Sequence, residues 1–112
     1  KALGGTWKTR YIVTFPSEIR WYERAEIDAK GNAYIKAKRC GYLTLGASST
    51  LDEHCDATTG KSFTFAVNQH PNSTLRLVLK ARSDEERLEW CTAIQGIIDT
   101  LRRADPFRNP AA

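Results

Sequence analysis

Apolar and polar positions alternate through the first two thirds of the chain and then change period. From Trp7 to Phe15, WKTRYIVTF, Lys8, Arg10, Ile12 and Thr14 share one face and Trp7, Tyr11, Val13 and Phe15 the other. This predicts a half-buried strand rich in β-branched and aromatic residues. Pro16-Ser17-Glu18 reads as a turn, and Ile19 to Glu23 as the returning strand of a hairpin. Arg24 to Arg39 is a long basic connection turning at residues 28–32, with Tyr34-Ile35 adding a little strand, and Cys40 to Leu45 is the next strand. Ser49 to Cys55 carries a weaker strand pattern. The turn Thr58-Thr59-Gly60-Lys61 leads into Ser62 to Asn68, where Phe63, Phe65 and Val67 alternate with polar or small residues. After a turn at His70-Pro71-Asn72-Ser73, Thr74 to Ala81 sets Leu75, Leu77 and Leu79 against Arg76, Val78 and Lys80.

The period then lengthens. Trp90, Ile94, Ile97 and Leu101 recur at helical spacing, with Cys91 and Ile98 beside them, and predict one amphipathic helix over Ser83 to Arg103. Ser83 and Glu86 form a capping box in which the glutamate is expected to reach back to the cap. Asp84 to Glu86 and Arg102-Arg103 complement the helix dipole, and Pro106 lies just beyond the last turn. About six short strands followed by one helix exclude a parallel βαβ sheet. They predict a mainly β fold, a curved antiparallel sheet or small barrel covered by the C-terminal helix. One domain over residues 1–104 is expected, with 105–112 the start of a linker.

A chain of 112 residues with 41 % hydrophobic and 27 % charged positions suits a single globular core. No apolar run approaches the roughly 18 residues of a membrane span, and no secretory signal pattern opens the sequence. Cys40, Cys55 and Cys91 are odd in number without paired spacing, which favours free thiols in a reducing compartment. In that setting the sequon Asn72-Ser73-Thr74 is only a polar turn.

Charge adds more. Residues 1–39 hold nine Lys/Arg against four acids, whereas the remainder is close to balanced within the overall +4. An excess confined to the first third points to an anionic partner: phosphate, acidic lipid or nucleic acid. Lys8 and Arg10 alternate along the predicted strand, so both are expected to emerge together at its end, near Trp21 and Tyr22. Each charge-assisted hydrogen bond is worth about 1.5–3 kcal/mol, so four or five support micromolar binding, which needs about 8 kcal/mol. Other motifs carry less. Gly60-Lys61-Ser62 lacks the earlier glycine and following helix of a phosphate-binding loop. Cys40, His54, Cys55 and His70 lack the close pairing that starts a zinc site. No nucleophile elbow, acid pair or dinucleotide loop supports an enzyme.

Trp7-Lys8-Thr9-Arg10-Tyr11-Ile12-Val13, Ile19-Arg20-Trp21-Tyr22, Gly41-Tyr42-Leu43-Thr44-Leu45, Phe63-Thr64-Phe65-Ala66-Val67 and Ala81-Arg82-Ser83-Asp84-Glu85-Glu86-Arg87-Leu88-Glu89-Trp90 follow one another as in a pleckstrin homology (PH) domain, which the chain resembles over nearly its whole length. The resemblance implies a bent barrel of about seven antiparallel strands capped by a helix bearing one tryptophan, here Trp90, with most of the first strand missing ahead of Lys1. The helix and the stretch from Thr6 to Tyr11 are further similar to PH domains of protein kinase B (Akt)-like kinases. Members that bind 3-phosphorylated phosphoinositides carry a lysine, a Lys/Arg-x-Arg pair and a tyrosine, which implies Lys1, then Lys8 and Arg10, with Trp21 at the tyrosine position, Tyr22 one place along and Arg39 as an accessory cation. Leu77 stands where such kinases have a phosphate-contacting arginine, which leaves head-group selectivity open. The resemblance implies a monomeric, non-catalytic module, without cofactor or metal, that recruits a signalling protein to phosphoinositides on an acidic membrane surface. Its setting would be cytoplasmic and peripheral at the plasma membrane, with no nucleic-acid partner. The alternative it leaves is a PH domain that binds a protein partner with little lipid specificity.

Overall fold

The computed structural model describes residues 7–23, 26–27, 29–30, 33–34, 39–71 and 74–105, of which 26–27, 33–34 and 39–40 through the backbone alone. Two three-stranded antiparallel sheets and a C-terminal helix form the domain, the mainly β class that the alternation predicts. In the first sheet, β1 (Tyr11–Phe15) and β2 (Glu18–Tyr22) are joined by Pro16-Ser17 as a two-residue hairpin with Phe15 opposite Glu18. Two short strands, β3 (Glu26–Ile27) and β4 (Ala33–Tyr34), pair with each other in the long connection. The chain returns to the first sheet as β5 (Arg39–Thr44), giving the order β1-β2-β5. The second sheet has the order β6 (Thr50–Asp52), β7 (Thr64–Asn68), β8 (Arg76–Lys80).

The predicted strand from Trp7 is corrected at its start. Residues 7–10 have no regular secondary structure and β1 begins at Tyr11. The register explains why: Tyr11 already faces Tyr22, the last residue of β2, so anything earlier has no partner across the hairpin. A further correction concerns Thr58-Thr59, which belong to a four-residue helix, α1 (Asp56–Thr59), closed by Gly60 at φ 73°, the left-handed conformation that glycine adopts freely. Leu75, expected to share a strand face with Leu77 and Leu79, precedes β8 and is exposed.

The long helix α2 (Asp84–Ala104) matches its prediction in extent, with Ser83 as N-cap accepting the Glu86 N–H at 3.1 Å. Glu86 reaches past the cap, however. Its Oε1 accepts the Arg82 backbone N–H and its Oε2 the Arg82 guanidinium, so the arginine draws the carboxylate one residue further back. The buried stripe of α2 is Arg87, Cys91, Ile94 and Ile98, with Trp90, Ile97 and Leu101 partly buried at its margin. These residues close over Ile19, Leu43, Leu45, Phe65 and Val67 from both sheets in one core. At its C-terminal end, Arg102 donates to the carbonyls of Ala47 and Ser49, both at 3.0 Å, pinning the last turn to the loop between the sheets.

Candidate functional site

Among the described residues, β1 and β8 are outer strands of their sheets, and a cleft of about 870 Å³ opens between them. Its floor is apolar: Trp21, Phe65, Leu77, Leu79 and Trp90, supplied by β2, β7, β8 and α2. Its rim is cationic, with Lys8 and Arg10 from the segment that enters β1, and Lys80 and Arg82 from the end of β8 and the residues after it. Among its described lining residues Glu86 is the one acid.

Trp21 reaches the cleft because Ile19, two places earlier on the same face of β2, points into the core. The indole lies directly over Gly41 of β5. A Cβ built there would come within 2.4 Å of the Trp21 ring, so only glycine admits the tryptophan in this position. Tyr22 takes the opposite face, is buried, and does not border the cleft. A register shift in the pairing of β2 with β5 falls between Trp21 and Tyr22, so the bulge is on the β5 side and leaves the alternation of β2 intact.

Among the described residues, neither Lys8 nor Arg10 is paired with a carboxylate; Arg10 Nη1 donates to the adjacent Thr9 carbonyl at 3.0 Å. Lys80 Nζ donates to the Ser62 carbonyl at 3.0 Å and lies 5.4 Å from the centre of the Phe63 ring. Arg82 is engaged by Glu86, which raises the guanidinium pKa and lowers that of the carboxyl. Three of the four rim cations therefore keep their charge uncompensated by any described acid.

The structure thus brings Lys8, Arg10 and Trp21 to one cleft. Lys1 lies outside the described residues, as does the side chain of Arg39, whose backbone opens β5. Lys80 and Arg82 were missed in the sequence. Their signal was the same i, i+2 spacing as Lys8 and Arg10, but nothing local shows that the end of the last strand returns to the start of the first. Chemically, the described rim residues offer cationic donors, which suits the capture of an anion. Among the described residues no group of His, Cys, Asp and Glu is arranged to hold a metal ion, and Cys55 and Cys91 are free and buried.

A family model described as PH domain matches residues 1–99 of the chain. No curated protein matches it.

Proposed function

The chain belongs to the PH domain family, whose members are non-catalytic modules that bind lipids or proteins, and from that premise we propose that it holds the phosphorylated head-group of a phosphoinositide and thereby recruits its parent protein to an acidic membrane surface. The observation that carries this reading is the pair Lys8 and Arg10: two cations on one rim, neither neutralised by a described carboxylate, next to an indole. Guanidinium and ammonium donors beside one another suit a phosphate, the guanidinium presenting its planar fork and the ammonium a compact charge. Lys1 and Arg39 are proposed as accessory cations and Trp21 as the wall of the site, with Tyr22 supporting the strand from its buried side. Binding at the cytoplasmic face of the plasma membrane is part of the same proposal. The comparisons lend no support to a protein-kinase-B-like parent.

Calorimetric titration with a soluble inositol phosphate, repeated at two salt concentrations, tests the reading. A built site saturates at one equivalent and keeps measurable affinity when the salt is raised, whereas a diffuse basic patch loses it. Lys8→Ala/Arg10→Ala is expected to abolish binding to inositol phosphate and to phosphoinositide vesicles with the melting temperature nearly unchanged. Equal binding by the double variant overturns the proposal.

A further inference from the structure

We propose that the cleft between β1 and β8 takes the hydrocarbon chain of a single-chain anionic phospholipid, whose phosphate stays at the mouth with Lys8 and Arg10. The inference rests on the phosphate reading above and adds a chain site beneath it. The cleft measures about 870 Å³, within the roughly 300–1,000 Å³ of pockets that bury a small molecule. A hydrated head-group held at the rim leaves its apolar interior unused. Trp21, Leu77, Leu79 and Trp90 are each half-buried, packed against the core and lining the cleft, and Phe65 of the core itself lines it too. They come from β2, β7, β8 and α2, elements that the core already fixes, so the apolar lining is formed before any ligand arrives.

Charge and polarity select the occupant. Lys8 and Arg10 come to the mouth from the β1 side, Lys80 and Arg82 from the β8 side, and the one described acid, Glu86, is engaged by Arg82. The complement of such a site is a molecule anionic at one end and apolar along the rest. Inositol phosphate has the charge without the chain, and a neutral lipid the chain without the charge. A phosphate on one alkyl chain supplies both. Its oxygens accept from the guanidinium and ammonium donors, and its methylenes leave water against apolar side chains that otherwise face it. This one cleft serves one chain, and the ligand is therefore a monomer in solution rather than a bilayer.

The test titrates the chain with straight-chain alkyl phosphates from ethyl to dodecyl, each below its critical micelle concentration, by calorimetry and by tryptophan emission. Affinity is expected to rise about fourfold for each methylene that enters the cleft, and to level off once the cleft is full. Emission should shift to shorter wavelength with the same saturation, because Trp21 and Trp90 line the cleft. Lys8→Ala/Arg10→Ala should weaken every homologue by a common factor of about tenfold or more and leave the fourfold increment intact. Leu77→Gln should flatten the increment while the affinity for soluble inositol phosphate is unchanged. Should Leu77→Gln melt early, the homologous series on the unaltered chain decides. Affinity that does not rise with chain length overturns the chain site. So does a dimer of this chain that the longer alkyl phosphates fail to dissociate, since a second copy would then fill the cleft. Binding of inositol phosphate with no gain from any alkyl chain overturns this inference alone, and failure to bind either inositol phosphate or alkyl phosphates overturns both proposals.

Discussion

Arg87 Nη1 donates to the Asp56 carboxylate at 3.1 Å, joining the second turn of α2 to α1 across 31 positions of sequence. The arginine side chain is 11 % exposed and its second amino group engages Asp84. Asp56 Oδ1 and Oδ2 also accept the backbone N–H groups of Thr64 and Phe63, and Oδ1 the Thr64 hydroxyl. One carboxylate thus fixes the entry into β7 and the seating of the helix together. Arg87→Ala is expected to destabilise the domain by about 1–3 kcal/mol, because it empties a buried position and leaves Asp56 with fewer donors. Urea unfolding checks it: the midpoint should fall while the slope stays constant. An unchanged midpoint would show that the pair merely decorates the packing.

The same network makes stability sensitive to acid. Hydrogen bonds from Thr64 foremost hold the Asp56 carboxyl below its ordinary value of 3.8, and Arg76 does the same for Asp52. Arg82 lowers Glu86 below 4.5. In each case the folded state releases its proton more readily than the unfolded one. The resulting stabilisation is fully present above the unfolded values, and it is lost as pH falls from about 4 through the depressed folded values. Melting temperature should therefore be flat toward neutral pH and drop steeply below about pH 4. Asp56→Asn should flatten that drop; a variant with the undiminished acid slope would assign the effect to other groups.

The two glycines Gly41 and Gly96 are expected to respond to alanine with opposite signs. At Gly41 the new methyl meets the Trp21 ring at 2.4 Å, so the indole must move; overpacking of this kind costs about 1–3 kcal/mol. At Gly96, within α2, nothing lies within 4 Å, and alanine relieves the conformational freedom of a helical glycine, a gain of about 0.5–1 kcal/mol. Thermal unfolding of the two variants checks both signs. Because Trp21 walls the cleft, Gly41→Ala should also shift tryptophan emission, whereas Gly96→Ala should leave it unchanged.

What the sequence made legible is local. The capping serine, the acidic first turn and the helical spacing of α2 are set by neighbours within one or two turns, so the extent of that helix could be read directly. The alternation of Phe65 and Val67 likewise marked β7. What escaped depends on partners far along the chain. The buried stripe of α2 is rotated toward Arg87 because Asp56 awaits it, and a charged residue at helical spacing does not announce burial. α1 has no apolar periodicity of its own and is closed by Gly60 and by Asp56 reaching Thr64. For the site, the spacing of Lys8 and Arg10 placed them together at the start of β1, as the cleft shows, although the strand meant to aim them begins only at Tyr11. Lys80, Arg82 and the Trp21–Gly41 contact needed the tertiary fold.

The two described thiols should be inert in the folded state, and their unmasking should report unfolding. Cys91 is enclosed by the core, and burial pushes its pKa up to about 11; burial also raises that of Cys55, against the opposing pull of Arg76, whose Nη2 lies 3.7 Å from its sulfur. Since the thiolate is the nucleophile, a raised pKa and low exposure act in the same direction. Iodoacetamide at about pH 8 is expected to leave both unmodified in the native domain and to alkylate them in urea, as mass mapping of each cysteine would show. The linkage has its own sign. A thiol that holds its proton more tightly when folded stabilises the domain below the unfolded value of 9.0, and that contribution is lost as pH rises toward about 11. A Cys91→Ala variant should therefore be less stable than the parent at neutral pH, because it leaves a small cavity, and should lose less stability on going to high pH. Native Cys91 that alkylates as fast as the unfolded thiol would mean that α2 opens from the core far more readily than the burial of Cys91, Ile94 and Ile98 with Phe65 and Val67 in one core implies.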